Sequence, residues 1–231
     1  MVTSGGDRVD GKLLLQGLGK YMLGMLLTAL LIFLPAGTLR FWNGWLLMAV
    51  LFIPMLIAGC VMFVRAPELL RRRLNMKERQ AEQKGVIAWS GLLFAASFVI
   101  AGLGYRFGWL MLPRWVCLLF AGVFLLGYAL FAEVLRENEY LSRTVEVQAG
   151  QRVVDTGLYG VVRHPMYMAT LLLFLSMPLI LGSVYAFAVM LGYLPILAAR
   201  IRGEEALLER ELAGYREYKK RVRYRLIPHI W

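Results

Sequence analysis

Apolar residues dominate six blocks of the chain, and short polar segments separate these blocks. The blocks comprise residues 18–39, 43–64, 86–105, 115–135, 165–181 and 183–201. Drawn as helices, they are apolar around their whole circumference, which is typical of helices surrounded by lipid and by other helices. About 20 helical residues cross a hydrocarbon layer of ~30 Å. The pattern therefore predicts an all-α, polytopic transmembrane helical bundle with about six membrane segments.

Two of the links between these blocks are very short. Residues 40–42 join the first two blocks and Gly182 joins the last two, so we expect both pairs to form tight antiparallel helical hairpins. Pro54, Pro178 and Pro195 lie inside predicted helices and are expected to kink them, which neighbouring helices tolerate. Beyond the last block, apolar residues continue at helical spacing, which predicts a cytoplasmic C-terminal amphipathic helix.

The overall composition supports the membrane assignment. Of the 231 residues, 59% are hydrophobic and 18% are charged, whereas a soluble domain is roughly 45–50% apolar and about 25% charged. This balance excludes a soluble enzyme, a disordered chain and a secreted disulfide scaffold. We expect one integrated domain, with four membrane segments in residues 1–135 and a cytoplasmic loop, helical hairpin and C-terminal helix in residues 136–231.

The charge distribution predicts an orientation. The chain carries 26 Lys and Arg and a net charge of +11. If the N-terminus is inside, only Arg40, Arg106 and Arg114 fall on the outer side, and the positive-inside rule then places both termini in the cytoplasm. We therefore expect a multi-pass integral membrane protein, in the inner membrane if the chain is bacterial. Its basic loops are expected to contact anionic membrane lipids and no nucleic acid.

The first segment with candidate chemistry precedes the fifth block. Residues 155–167 combine glycines, which permit tight turns and close approach to a ligand, with Arg163, His164 and Tyr167. Pro165 suits the first position of a helix, so these polar residues are expected at a helix entrance near the headgroups. An interfacial anchor is the alternative interpretation, since Arg and Tyr are common at that depth.

The second such segment follows the sixth block. Arg200 and Glu204 are four residues apart and are predicted to share a helix face. Glu205 points about 100° away from Glu204, so the two are not predicted to form a paired-carboxylate site. A surface ion pair on a membrane-lying helix is the alternative here. The sequence contains no dinucleotide fingerprint or P-loop, and no histidine cluster that predicts a metal site.

Read together, the two segments resemble a known family. Gly-Leu-Tyr-Gly-Val-Val-Arg-His-Pro-Met-Tyr at 157–167, a hydrophobic hairpin, Arg-Ile-Arg-Gly-Glu-Glu at 200–205 and Tyr-Arg-Glu-Tyr-Lys-Lys-Arg-Val at 215–222 resemble the isoprenylcysteine carboxyl methyltransferase family. The resemblance covers roughly residues 148–228, while residues 1–135 match only as apolar segments. The Arg-His-Pro-x-Tyr block is shared more loosely with phospholipid N-methyltransferases and sterol reductases.

The resemblance implies a methyltransferase that uses S-adenosyl-L-methionine and acts on a lipophilic acceptor entering from the bilayer. By motif position it implies cofactor contacts at Gln151, Arg152, Val153, Val154, Tyr159, His164, Pro165, Met166, Tyr167 and Glu204. It also implies catalytic roles for Arg163, Arg200 and Arg221, with Arg200 near the acceptor, and it implies no metal. Met166, Ala169 and the short stretch 212–215 depart from the eukaryotic pattern and leave the acceptor open.

Several functions remain open from the sequence. O-methylation of a carboxylate is favoured because this group is already ionised near pH 7 and an arginine can bind it bidentately. A phospholipid-type N-methyltransferase is the nearest alternative, and it requires a neutral amine rather than an anion. A NADPH-dependent relative of the sterol reductases and a non-catalytic, lipid-sensing membrane protein are further alternatives.

Overall fold

The computed structural model describes residues 5–74, 81–138, 140, 147 and 150–231, and the regular structure in this part of the chain is helical. The helices are α1 (Gly5–Ala36), α2 (Trp42–Arg65), α3 (Pro67–Leu74), α4 (Ala81–Arg106), α5 (Arg114–Glu137), α6 (Pro165–Ile180), α7 (Val184–Met190), α8 (Tyr193–Glu211) and α9 (Tyr215–Arg221). A short 3-10 helix spans Gly157–Gly160.

The predicted polytopic helical bundle is confirmed. Five helical stretches of the described chain are long and apolar enough to cross a membrane: Gly11–Ala36, Trp42–Arg65, Ala88–Arg106, Arg114–Glu137 and Val184–Glu211. The fifth predicted segment is the shorter apolar helix α6, whose 16 residues correspond to about 24 Å of helix at ~1.5 Å per residue. The orientation and the division at residue 135 stay predictions.

The sixth predicted segment differs in detail from the expectation. The sequence predicts one helix over residues 183–201, but the structure has two helices, α7 and α8, joined by a turn at Leu191 and Gly192. Pro195 lies in the first turn of α8. Proline lacks an N–H and its ring collides with the carbonyl four residues earlier, so the regular α-helix is interrupted near residue 191.

The predicted hairpin at Gly182 is present and is tightly packed. Gly182 has φ +77°, and a Cβ there would stand 3.2 Å from the side-chain amide of Asn43. Ser183 then caps α7 by accepting a hydrogen bond from the backbone N–H of Ala186 at 3.2 Å. Glycine and serine therefore explain why the chain reverses at this position.

The most extensive helix packing joins α5 to α6, and α1 also packs along α4. Gly127 of α5 faces α6, where a Cβ would stand 3.0 Å from Leu173 and 3.3 Å from the carbonyl oxygen of Ala169. Small residues at such a crossing allow two membrane helices to approach closely. This packing places the end of α5 next to the beginning of α6, where the polar segments meet.

The C-terminal residues fold back against the polar loop before α6. The backbone N–H groups of Arg163 and His164 donate to the carbonyl oxygens of Tyr224 and Arg225, both at 2.9 Å. Leu226 is buried in an apolar cluster with residues of α6, α7 and α8. The polypeptide after α9 is therefore fixed beside the segment that carries the candidate site residues.

Candidate functional site

A cleft opens at one end of the bundle, where α5 ends, α6 begins and the second half of α8 meets α9. It contains about 850 Å³ of empty space when its open mouth is counted. The lining residues are Asn138, Tyr140, Gln151, Arg152, Val153, Val154, Tyr159, Arg163, His164, Pro165, Met166, Tyr167, Arg200, Glu204, Leu208, Leu212, Tyr215 and Tyr218.

The cleft brings the two candidate segments together. All ten residues predicted to contact a cofactor are among those that line it, and so are Arg163 and Arg200. Arg221 is the exception among the predicted site residues, because it lies outside this lining and forms an ion pair with Asp155 at an exposed position. The geometry thus gathers the predicted residues, while the role of each one stays a prediction.

The end of α5 holds the glycine-rich loop in place. Glu137 accepts a hydrogen bond from the backbone N–H of Leu158 at 3.0 Å. Gly157 has φ +51°, and a Cβ at this position would overlap the Glu137 carboxylate. Glycine is therefore required both by the backbone conformation and by the close approach of a side chain.

Two hydrogen bonds hold Tyr159 in place. Its hydroxyl accepts a hydrogen bond from the side-chain amide of Asn138 at 2.8 Å. Its carbonyl oxygen accepts one from the hydroxyl of Tyr218 on α9, also at 2.8 Å. These two contacts connect α5, the 3-10 helix and α9 around one aromatic residue.

Arg163 is directed into the protein and is nearly inaccessible. Its Nε donates to Oε1 of Glu205 at 2.7 Å, and the two side chains are 4% and 3% exposed. Its Nη1 donates to the carbonyl oxygens of Val222 and Arg223, each at 2.7 Å. Arg163 is thus engaged with α8 and the C-terminal residues, and an acceptor carboxylate would have to displace these bonds to bind it.

Glu205 is the centre of a buried charge cluster. Its Oε1 also lies 3.3 Å from Nε2 of His164, and its Oε2 accepts from Nε of Arg225 at 3.0 Å. Since a carboxylate only accepts hydrogen bonds, the contact with His164 favours a proton on Nε2. One carboxylate therefore joins the loop before α6, the helix α8 and the C-terminal residues.

A second chain of contacts faces the cleft and links α6 to α8. Nε of Arg200 donates to the hydroxyl of Tyr167 at 2.9 Å. That hydroxyl donates to Oε2 of Glu204 at 2.5 Å. The guanidinium carbon of Arg200 lies 5.8 Å from the ring centre of Tyr167. Arg200 and Glu204 share a face of α8, as their spacing predicted, and Tyr167 lies between them.

The tyrosines of the loop and of α9 are neutral at physiological pH. Burial raises the pKa of Tyr159 to about 12, although the hydrogen bond from Asn138 acts in the opposite direction. Burial likewise raises the pKa of Tyr218 and of Tyr215 above the ordinary value. These phenols can therefore donate or accept hydrogen bonds near pH 7, but they do not act there as phenolate bases.

Sequence reasoning missed several residues of this region. Glu137 and Asn138 were not expected to contribute, although an acidic residue at the C-terminal end of a helix is electrostatically unfavourable and could have signalled a specific role. The sequence motifs include Glu205, Tyr215 and Tyr218 but predict no role for them. Their positions depend on contacts between distant segments.

One family model matches the part of the chain that contains most of the cleft lining. Residues 114–213 match the model of a family described as phospholipid methyltransferase. This range includes α5 to α8 and most of the cleft, and the match supports a membrane methyltransferase. The chain is also similar to the mouse (Mus musculus) Delta(14)-sterol reductase TM7SF2, with 32% identity over 91 residues. That alignment covers 38% of this chain and only 22% of the reductase.

Proposed function

We propose that the protein is an S-adenosyl-L-methionine-dependent membrane methyltransferase that O-methylates a carboxylate on a lipophilic, isoprenylcysteine-like or lipid acceptor. The observation that carries this proposal is the contact chain from Arg200 through Tyr167 to Glu204 on the cleft wall. It places a cation and a carboxylate on one wall, joined by a shared hydroxyl. The match of residues 114–213 to phospholipid methyltransferases supports the same class of reaction.

The polar groups of the cleft fit this cofactor. Glu204 can accept hydrogen bonds from the hydroxyl or ammonium groups of a nucleoside amino acid, and the chain at 151–154 and 164–167 offers further polar contacts. In addition, Tyr215 has a buried hydroxyl that lacks a hydrogen-bond partner among the described residues. When bound, the cofactor would supply an electrophilic methyl group, which the acceptor oxygen takes as the carbon–sulfur bond breaks.

Arg200 is the arginine best suited to bind the acceptor. Arg200 lines the cleft on the same wall as Glu204. Arg163 is instead directed to Glu205 and to the C-terminal carbonyl groups, and Arg221 lies outside the cleft lining. A guanidinium can hold a carboxylate bidentately, and Tyr167 fixes the orientation of the Arg200 side chain through its hydroxyl. Because an ionised carboxylate needs no deprotonation, the main tasks of the protein are to align the acceptor and to exclude water.

A lipophilic acceptor suits the mixed character of the cleft. Val153, Met166, Leu208 and Leu212 contribute apolar surface between the polar groups. The cleft also lies beside the ends of α5 and α6, both of which are apolar helices. We propose that the polar head of the acceptor binds at Arg200 while its apolar tail remains among membrane lipids. The cytoplasmic orientation of the cleft belongs to the same proposal.

Phospholipid N-methylation is the second candidate, and the description of the matched family favours it. This reaction requires an amine that has lost its proton. His164 and Glu204 both line the cleft and could accept that proton. Arg200 would then contact the phosphate rather than a carboxylate.

The similarity to a sterol reductase supports a third candidate, a NADPH-dependent reduction. Isothermal titration of the purified protein separates it from methyl transfer. We expect S-adenosylhomocysteine to bind and NADPH not to bind. Binding of NADPH alone would contradict the methyltransferase proposal, and binding of neither ligand would favour a non-catalytic membrane protein.

The product identifies the acceptor chemistry. Membranes containing the protein are incubated with S-adenosyl-L-methionine labelled in the methyl group, and the labelled lipid fraction is treated with mild base. Release of volatile methanol indicates a methyl ester and supports O-methylation, whereas a base-stable label on a headgroup nitrogen supports N-methylation. Membranes with the Arg200→Ala variant provide the matched control for background labelling.

A further inference from the structure

Tyr215 differs from the assigned site residues in its buried hydroxyl. It begins α9 and lines the cleft, and it is 4% exposed. Its hydroxyl is buried and has no hydrogen-bond partner among the residues that the structure describes. Gly214, with φ +83°, directs the chain into α9 just before it.

Tyr218, one turn further along the same helix, provides the comparison. It is equally buried, and its hydroxyl donates to the carbonyl oxygen of Tyr159 at 2.8 Å. The two rings contact each other with their centres 5.7 Å apart. Two neighbouring tyrosines in similar surroundings thus differ in one respect, since only Tyr218 has its hydroxyl bonded within the described part of the protein.

A buried hydroxyl without a partner is unfavourable, because it has lost hydrogen bonds to water and gained none. Such groups are rare in folded proteins, and each calls for an explanation. A phenylalanine would fill the same space without this penalty. Polar side chains line the same cleft as Tyr215, among them Arg163 and Glu204.

We propose that the Tyr215 hydroxyl is a ligand-binding group of the cleft, which forms its hydrogen bond with a polar oxygen or nitrogen of an S-adenosyl ligand. This inference rests on the proposed function, because it requires such a ligand in the cleft. Because the hydroxyl is enclosed in the wall, this proposal requires the ring to turn towards the cleft when the ligand binds. The new hydrogen bond compensates for this movement and satisfies the hydroxyl.

The opposing explanation is that Tyr215 only packs. Its ring belongs to a small apolar cluster with Leu212, Tyr218 and Val222. If packing were its only contribution, removal of the hydroxyl would leave ligand affinity unchanged. The two explanations therefore differ in whether the Tyr215 hydroxyl contributes to ligand affinity.

The experiment compares the full chain, purified in detergent, with its Tyr215→Phe, Tyr218→Phe and Tyr128→Phe variants. The affinity for S-adenosylhomocysteine is measured by isothermal titration, and the apparent Tm is measured without ligand. We expect Tyr215→Phe to weaken binding about tenfold, which corresponds to ~1.4 kcal/mol. We also expect its ligand-free Tm to equal or exceed that of the wild type, because an unsatisfied hydroxyl has been removed.

The other variants are the matched controls. Tyr218→Phe deletes a bonded hydroxyl and is expected to lower the ligand-free Tm. Tyr128 lies on α5 away from the cleft and donates to the carbonyl oxygen of Leu51 at 2.9 Å. Tyr128→Phe is therefore expected to lower the Tm and to leave the affinity unchanged, which separates loss of stability from loss of binding.

Each outcome has a distinct meaning. Equal affinity of wild type and Tyr215→Phe overturns this inference and leaves the proposed function intact. A lowered Tm for Tyr215→Phe, as large as that of Tyr218→Phe, also overturns it, because the hydroxyl would then be bonded before the ligand binds. If the wild type does not bind S-adenosylhomocysteine, the proposed function fails and this inference fails with it.

Discussion

Arg163 and Glu205, which are 42 residues apart in the chain, form a buried ion pair with 2.7 Å between Nε and Oε1. The adjacent residue Glu204 contacts Tyr167 on the cleft wall instead. Consecutive residues of a helix point about 100° apart, so α8 directs one carboxylate inward and the other towards the cleft. Glu205 therefore acts as a structural counter-ion, and Glu204 remains the carboxylate suited to contact a ligand.

The structural role of Glu205 predicts that its replacement mainly lowers the stability of the protein. Glu205→Gln leaves Arg163, His164 and Arg225 around a neutral amide. Removal of one partner from a buried ion pair costs roughly 3–5 kcal/mol, because the remaining charge is desolvated and unpaired. We expect a marked fall in the apparent Tm of the purified protein. A Tm within 1–2 °C of wild type, roughly the shift expected for 1 kcal/mol or less, would show that the cluster is not important for folding.

Glu204→Gln is the matched variant, since it makes the same chemical change one residue earlier. Glu204 is only partly buried, and the structure gives it a hydrogen bond from Tyr167. We expect a small change in Tm and a tenfold or greater loss of affinity for S-adenosylhomocysteine, because a charged hydrogen bond of about 1.5–3 kcal/mol is lost. Unchanged affinity in isothermal titration would remove Glu204 from the proposed cofactor site.

Arg200 is expected to affect turnover more than cofactor binding. Arg200→Lys retains a positive charge but loses the planar guanidinium, which is the group that can hold a carboxylate by two parallel hydrogen bonds. We expect turnover to fall by about tenfold or more, the equivalent of ~1.4 kcal/mol or more, while the affinity for S-adenosylhomocysteine changes less than threefold. Arg221→Ala is the companion variant, and its exposed position predicts little effect on turnover.

A reversed result would change the assignment of the arginines. If Arg221→Ala abolished turnover and Arg200→Lys did not, the exposed Arg221–Asp155 pair would have to open and reach the acceptor during the reaction. Measurement of initial rates with both variants at saturating cofactor decides between these arrangements.

The fold was predictable from the sequence because each membrane helix is indicated by its own long run of apolar residues. The interruption between α7 and α8 could not be predicted in this way. Residues 183–201 are apolar on both sides of the turn, so their hydropathy does not show where one helix ends and the next begins. Pro195 was the available signal, and it was expected to bend the helix rather than to mark the first turn of a new one.

The composition of the candidate site was likewise predictable only in part. The motif residues before α6 and on α8 were identified, and the structure brings them to one cleft. The sequence placed Glu204, but not Glu205, on the helix face of Arg200, yet it did not predict that Glu205 pairs with residues 163 and 225. The resemblance placed Arg200 near the acceptor, but it did not predict that Arg163 pairs with buried Glu205 or that Arg221 pairs with exposed Asp155.

The contact between Gly157 and Glu137 gives a last prediction, which tests whether α5 positions the loop. Gly157→Ala places a Cβ against the Glu137 carboxylate and forces alanine into a left-handed conformation at φ +51°. We expect a loss of roughly 1–3 kcal/mol in stability, together with weaker S-adenosylhomocysteine binding, because Leu158 and Tyr159 follow directly.

Gly203 provides the matched control for this substitution. It lies in the interior of α8, and a Cβ there would meet nothing within 4 Å. Gly203→Ala should raise stability by about 0.5–1 kcal/mol through helix propensity, and the apparent Tm of both variants is measured in the same detergent. If Gly157→Ala and Gly203→Ala shifted the Tm in the same direction, the loop would not depend on its contact with Glu137. The weaker binding of Gly157→Ala would then need another cause than the displacement of Tyr159.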